Sequence, residues 1–467
     1  MRRALSWGGL GVTLLACTVG AAVAVQRLYT DREYRRLLSA GDHALSAGDT
    51  YGAVEAFSGA LAFRPDSMVA FLRRGQAYRD QRRFDEARRD WRQAGRLAPE
   101  APQPLIALGD LSDALGQPTE AAEWYGQAAD RLKGEDANLL YRLALARFKA
   151  GAPALAIAPL KAALAKDESS AEGRYLLGLV YRDIGDLPAA IASLESAVAL
   201  APDLTAAREE LADVYRAQGR PVDEMVQLQA LTARDPQVGR RIAIGEAEAR
   251  SGELGGALGT LATALKTAPN DSSVLLAIGR VHLARAERTG DESGENVLRA
   301  LDVIEQALGG TAPRSEGLAL YGRALFLAER SVEAERILRD AVATSPVDPE
   351  AFLFLADAAE RAGHDLVARD ALVNLGALQG DTVTAEVRAA RAGRIGDLSL
   401  RAGDPKVAAE YLTRAVDGGH NAPIVLARLA HARWLTGDQG SARDLIAKAL
   451  AANPRDAQIQ RIARVVK

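Results

Sequence analysis

The chain has 467 residues and a formal net charge of −3, is dominated by Ala, Leu, Arg and Glu, and is only 5% aromatic. It lacks the basic excess that phosphate binding requires, which disfavours nucleic acid as a partner, and its single cysteine, Cys17, leaves the rest of the chain without disulfides or thiolate metal sites. Strong helix formers throughout, with no Gly/Ser-rich linker, point to one extended all-α structure rather than several globular domains.

The first element in chain order is the run 4–25, 22 residues without a charged side chain behind Met1-Arg2-Arg3. That length crosses a hydrocarbon core of about 30 Å as a helix. Three fates are open to it. A retained signal anchor is favoured by its length. Cleavage after Ala22-Val23-Ala24 fits a small-residue peptidase site. Leu14-Leu15-Ala16-Cys17 resembles a bacterial lipobox, against which residues 18–25 stay largely apolar. Arg2 and Arg3 lie on one side of the run and Arg27, Arg32, Arg35 and Arg36 on the other, so charge alone does not orient it. A short basic tail ordinarily stays in the cytoplasm, which places the body in a periplasm-like space. Only eight of the 58 basic residues are Lys, a usage common in GC-rich bacterial genomes. The expectation is a single-pass protein of a bacterial inner membrane, with residues 1–28 as anchor, 29–455 as the body and 456–467 as a terminal helix.

Beyond the anchor the chain repeats itself. Gly75, Tyr78, Ala87, Trp91, Ala94 and Pro99 return, 103 residues later, as Gly178, Tyr181, Ala190, Leu194, Ala197 and Pro202. Twelve copies of about 34 residues follow, starting near Tyr34, Met68, Pro102, Ala137, Ala171, Thr205, Val238, Ser272, Ser315, Pro349, Ala389 and Pro423. Position eight is Gly or Ala in every copy. Position twenty is Ala in eleven, Glu224 being the exception, and position twenty-four is always large and apolar. Pro closes seven copies, and Gly falls between the two expected helices in nine. Small residues at eight and twenty let two antiparallel helices approach closely; the large one fills the gap between that pair and the next. Gly suits the positive φ of a helix C-terminus, and Pro stops the second helix. A single pair cannot bury its apolar face alone, so neighbours must stack. The copy from Ser272 carries about nine extra residues around 288–296, and 379–388 is irregular. Residues 456–466 read as an amphipathic cap.

This order and spacing resembles the tetratricopeptide repeat signature W-x2-L-G-x2-Y…A-x3-F…P over residues 34–455. The resemblance implies a right-handed superhelical solenoid of about twelve helix pairs, here preceded by one N-terminal transmembrane helix. It also implies a concave groove that docks a peptide or partner helix, lined mainly by positions two, five, nine and twelve of each first helix. Position nine is acidic in six copies, including Asp42, Asp110, Asp213, Asp357 and Asp397, with Glu246 the sixth. Position twelve supplies Arg79, Arg182, Arg216, Phe148, Phe326 and Trp434, and position five Tyr141 and Tyr175. These are the candidate groove residues, read as aromatic anchors with charges for register, beside the plainer reading of solvated helix faces. No copy has the Asn at nine or Lys at five with which chaperone-docking members grip a C-terminal carboxylate.

Catalytic patterns are missing. The five His are scattered without metal-ligand spacing, and there is no P-loop, G-x-S-x-G elbow or C-x-x-C. Gly255, Gly256 and Gly259 read as turn and helix-start residues. The acidic insertion Gly290-Asp291-Glu292-Ser293-Gly294-Glu295 lacks the spacing of a calcium loop and reads as solvated. The Arg excess of the second copy, near the anchor, reads as a surface laced with ion pairs, with contact to anionic lipid as the other possibility. The expected function is a non-enzymatic, membrane-tethered scaffold with no cofactor, metal or small-molecule substrate. It would bind one or more proteins during assembly of an envelope complex such as polysaccharide export, pilus or secretion machinery. The rival is a membrane-surface receptor or co-chaperone whose repeats face the cytosol.

Overall fold

The computed structural model of the chain describes residues 4–290, 294–309 and 314–466, with side chains from residue 23 onward except that of Asp381. Among the described residues there are 25 α-helices, one short 3-10 turn (Gly380–Thr382) and no strand. They form two compact units, Met1–Gln218 and Gly219–Lys467.

The first unit holds α1 (Ala4–Ser46), α2 (Thr50–Phe63), α3 (Met68–Asp80), α4 (Phe84–Leu97), α5 (Gln103–Ala114), α6 (Pro118–Arg131), α7 (Ala137–Lys149), α8 (Pro153–Lys166), α9 (Ala171–Asp183), α10 (Leu187–Leu200) and α11 (Thr205–Ala217). The second holds α12 (Pro221–Arg234), α13 (Val238–Ser251), α14 (Leu254–Thr267), α15 (Ser272–Thr289), α16 (Glu295–Gly309), α17 (Ser315–Leu327), α18 (Ser331–Ala343), α19 (Pro349–Arg361), α20 (Asp365–Gln379), α21 (Ala385–Arg401), α22 (Pro405–Asp417), α23 (Pro423–Leu435), α24 (Gln439–Ala452) and α25 (Ala457–Val465). Within each unit every helix packs on the next in sequence, and most odd-numbered helices also touch the next odd one, so these share a face. Nine of the odd helices begin at the residue where the repeat phase starts a copy. Local chemistry sets those starts: Ser67, Asp136, Ser170, Asp271 and Asp348 each accept a backbone N–H of the first turn.

The anchor region needs separate statement. Helix α1 is continuous from Ala4 into the first repeat. The side chains of residues 1–22, among them Cys17 and most of those of the expected span, are not among those described. Among the described residues no helix is long and apolar enough to cross a membrane. The middle of the acidic insertion, 291–293, is likewise outside. Its flank lengthens α15 to 18 residues. The 379–388 irregularity is the 3-10 turn followed by an α21 that starts at Ala385, four residues ahead of phase. The three glycines from 255 to 259 lie inside α14 rather than at a turn.

The core follows from residue size. All eleven position-twenty alanines, from Ala53 to Ala442, are fully buried. Each position-eight Gly lies under the position-twenty-four side chain of its own copy. A Cβ added at Gly75 would sit 2.5 Å from the Trp91 ring, at Gly178 2.6 Å from Leu194, and at Gly245 2.7 Å from Leu261. The large residue therefore seats on its own pair's Gly, where the spacing had suggested the gap to the next pair. Aromatic rings at twenty-four (Phe57, Trp91, Tyr125) occur only over Gly (Gly41, Gly75, Gly109); the copies with Ala at eight carry Leu or Ile instead. At the turn between the two helices of a copy, Arg82 and Glu329 adopt the positive φ (60° each) that glycines such as Gly185 (83°) take elsewhere.

The sixth copy differs. Its position twenty is Glu224, fully buried in the second unit, with its carboxylate accepting from Arg250 of α13 at 2.6 Å. The boundary between units falls at Gln218/Gly219, inside this copy. The one copy without the small residue is the copy at which the chain divides.

The Gly75–Trp91 contact yields a test. Gly75→Ala is expected to destabilise the first unit by about 1–3 kcal/mol through overpacking. Adding Trp91→Leu recreates the Ala–Leu pairing of the fourth copy (Ala144, Leu160), so the double variant should be less destabilised than the two single losses together. Strict additivity in denaturant melts would refute the contact.

Candidate functional site

The charges at positions nine and twelve of the odd helices are largely answered within the chain. The position-nine acids do not stand free. Arg73 Nη1 lies 2.6 Å from Asp42, Arg394 Nη2 2.8 Å from Asp357 and Arg428 Nε 2.9 Å from Asp397, and Arg142 pairs with Asp110. Each of these arginines is position six of the next odd helix in the same unit. Asp110 also accepts from the Tyr125 hydroxyl at 2.9 Å, with the Arg142 guanidinium 4.6 Å over that ring. Glu246 meets Arg280 at 3.2 Å, and Asp213 meets Arg216 of its own helix at 3.2 Å. Arg79 bonds Asp80 at 3.0 Å, while Arg182 spans Asp183 at 2.9 Å and Glu210 of α11.

In the second unit this becomes a ladder. Arg280 bridges Glu246 and Glu316, Arg323 bridges Glu287 and Asp357, Arg394 bridges Asp357 and Glu360, and Arg401 reaches Glu360 and Asp365. The aromatic candidates there are also covered: Arg361 lies 4.5 Å over Phe326, and Arg443 5.6 Å over Trp434. Burial works against ionisation of Glu360, but the bonds from Arg394 and Arg401 outweigh it and hold the carboxyl below its usual range. At Asp397 burial prevails over Arg428 and pushes the carboxyl up. A shallow cavity of about 550 Å³ on this face is lined by Arg280, Arg323, Glu246, Glu287 and Phe354 among others, arginines that the sequence reading did not single out.

In the first unit α7 and α9 pair Arg142 with Asp110 and Arg182 with Glu210, but carry no acid at position nine. Tyr141 and Phe148 on α7, and Tyr175 on α9, are half-buried and sit on faces that follow one another in the stack. Between them, position nine is Leu145 and Leu179, both half-buried. The sequence reading passed over these leucines because it followed the acids at that position. Residues spaced i, i+4, i+7 share one helix face, so Tyr141, Leu145 and Phe148 form a continuous apolar row. Beside Tyr141 lies a cavity of about 430 Å³. Burial first, and Glu172 second, push the Tyr141 hydroxyl above its usual pKa; Tyr175 moves the same way through burial and Glu210. The structure thus packs Tyr141 and Phe148 against one apolar cluster and Tyr175 against the next, and places the charged candidates in ion pairs.

A family model described as tetratricopeptide repeat matches residues 38–102, 72–136, 107–171, 141–205, 175–238 and 394–457, together more than half of the chain. Among solved structures, MamA is 26% identical, covering 33% of this chain and 91% of its own with a TM-score of 0.32. YrrB, a TPR protein with an unusual peptide-binding site, is 19% identical over 40% of this chain and 95% of its own (TM-score 0.37). The pilF protein of Pseudomonas aeruginosa is 15% identical over 44% and 94% (TM-score 0.36). No curated protein matches the chain.

The pairs around Glu360 give a pH test. A carboxyl whose folded pKa lies below its unfolded value favours folding above that range, and the benefit is lost as pH falls through the folded value. Wild type should therefore be more stable than Glu360→Gln near neutrality, and the gap should close on acidification below about pH 4. A gap in thermal melts that stays constant with pH would show that the pairs contribute nothing through ionisation.

Proposed function

Because the chain belongs to the tetratricopeptide repeat family, whose stacked pairs are protein-interaction surfaces, we propose that it is a non-catalytic scaffold holding a partner protein along its odd-helix face. One observation carries the reading: at α7 and α9 the acid of position nine gives way to leucine, beside half-buried Tyr141, Leu145, Phe148, Tyr175 and Leu179. Half-buried aromatic and aliphatic anchors inside a charged rim are what a partner's apolar side chains bind against. The apolar run 4–25 tethers the scaffold to a bacterial inner membrane, with the repeats in the periplasm and the partner a component of an envelope assembly.

Photo-crosslinking from the groove tests the partner claim. A benzophenone amino acid replacing Leu145 in intact cells should capture a protein, and the same probe at exposed Ala192 on α10 should not. The capture should disappear when Tyr175→Ala is added. Equal capture from both positions, or indifference to Tyr175→Ala, would remove the groove from the account.

Orientation has its own measurement. Ser345, exposed between α18 and α19, replaced by Cys should react with a membrane-impermeant maleimide once the outer membrane alone is opened. Protection until the inner membrane is broken would place the repeats in the cytosol.

A further inference from the structure

The second unit answers its face charges internally, but the cavity beside Tyr141 in the first unit does not. It lies where the start of α7, the end of α8 and the start of α9 meet. Its walls include the Tyr141 ring, Leu164, Asn138 and the carboxyl-bearing Asp167 and Glu172, and no Lys or Arg lines it. The Asp167 carboxylate is fixed in place, accepting from the Ser169 backbone N–H at 3.1 Å and its hydroxyl at 2.7 Å. Glu172 is exposed. An aromatic face with two carboxylates and aliphatic walls is the environment that holds an ammonium or guanidinium group on an apolar stem. The surroundings agree in sign: from Gln103 to Ala217 the chain carries 17 Asp and Glu against 11 Lys and Arg. Such an excess steers a cationic ligand inward.

Resting on the scaffold reading, we propose that this face takes a basic, apolar-anchored segment of the partner: a Lys or Arg enters the cavity between Tyr141, Asp167 and Glu172, and a Leu- or Phe-like side chain packs on Leu145, Phe148 and Leu179. The seven residue steps from Tyr141 to Phe148 span about 10 Å of helix. An extended segment covers that in about three residues, so the recognised pattern is a cation followed or preceded, three residues away, by a large apolar side chain. The pairing also supplies register. The cavity admits the charged stem and the row admits the anchor, and exchanging them would bury a charge against leucines.

The test uses the full chain in detergent micelles and fluorescein-labelled synthetic peptides of one backbone sequence: Lys and Phe three residues apart, Glu in place of Lys, and Ser in place of Phe. Anisotropy should show the Lys–Phe peptide binding about tenfold or more tightly than either control. Glu172→Lys should invert the order of the Lys and Glu peptides, and Val332→Ala, at an exposed position of α18 in the second unit, should change nothing; circular dichroism checks that each variant is folded. Binding that depends on Tyr141 but ignores or prefers the Glu peptide would overturn this inference and leave the scaffold reading standing. If no peptide binds in a Tyr141-dependent way, both fall.

Discussion

The structure depends on how closely two helices can approach. Gly at position eight leaves an empty site, Ala at position twenty keeps the facing helix near, and the position-twenty-four side chain closes over the Gly of its own pair. Protein interiors pack like crystals, so the three volumes are not independent. Rings as large as those of Phe57, Trp91 and Tyr125 lie only over glycine, and a methyl at eight goes with Leu or Ile at twenty-four. The phase survives an insertion in α15 and an early start of α21 because each pair satisfies the constraint by itself.

Charge has a second role. Exposed ion pairs contribute about 0–1 kcal/mol each, so the ladder of the second unit adds little stability per rung. It connects successive odd helices instead: Arg323 and Arg394 both reach Asp357, and Arg394 and Arg401 both reach Glu360. A face neutralised in this way offers few open charges to a ligand. The aromatic row at α7 and α9 is distinguished by interrupting the pattern.

Much of the fold was legible before any coordinates, because the volume rule is local. The starts of α3, α7, α9, α11, α13, α15, α17, α19 and α23 are where the repeat phase put them. The face chemistry was less legible. Asp42, Asp110, Asp357 and Asp397 were read as groove charges because their own helices say so; the arginines that bind them lie at position six of the following helix. A pattern taken one helix at a time does not register a contact between helices. Leu145 and Leu179 were overlooked for the same reason. They matter as departures from a neighbouring pattern whose meaning was not yet visible. Glu224 was the clearest signal of all: its departure from Ala was counted as one exception, yet it marks the copy that the two units share out.

The last helix carries a consequence of its own. Ile459 of α25 is fully buried and Val466 just after it nearly so, sealing the apolar side of α23 and α24. The same surface, uncovered, would be a landing plate shaped for one more pair. Stacked repeats offer such a plate at each growing end, and a head-to-tail match that never closes on itself builds fibres. Nine residues with one polar flank cover that plate here.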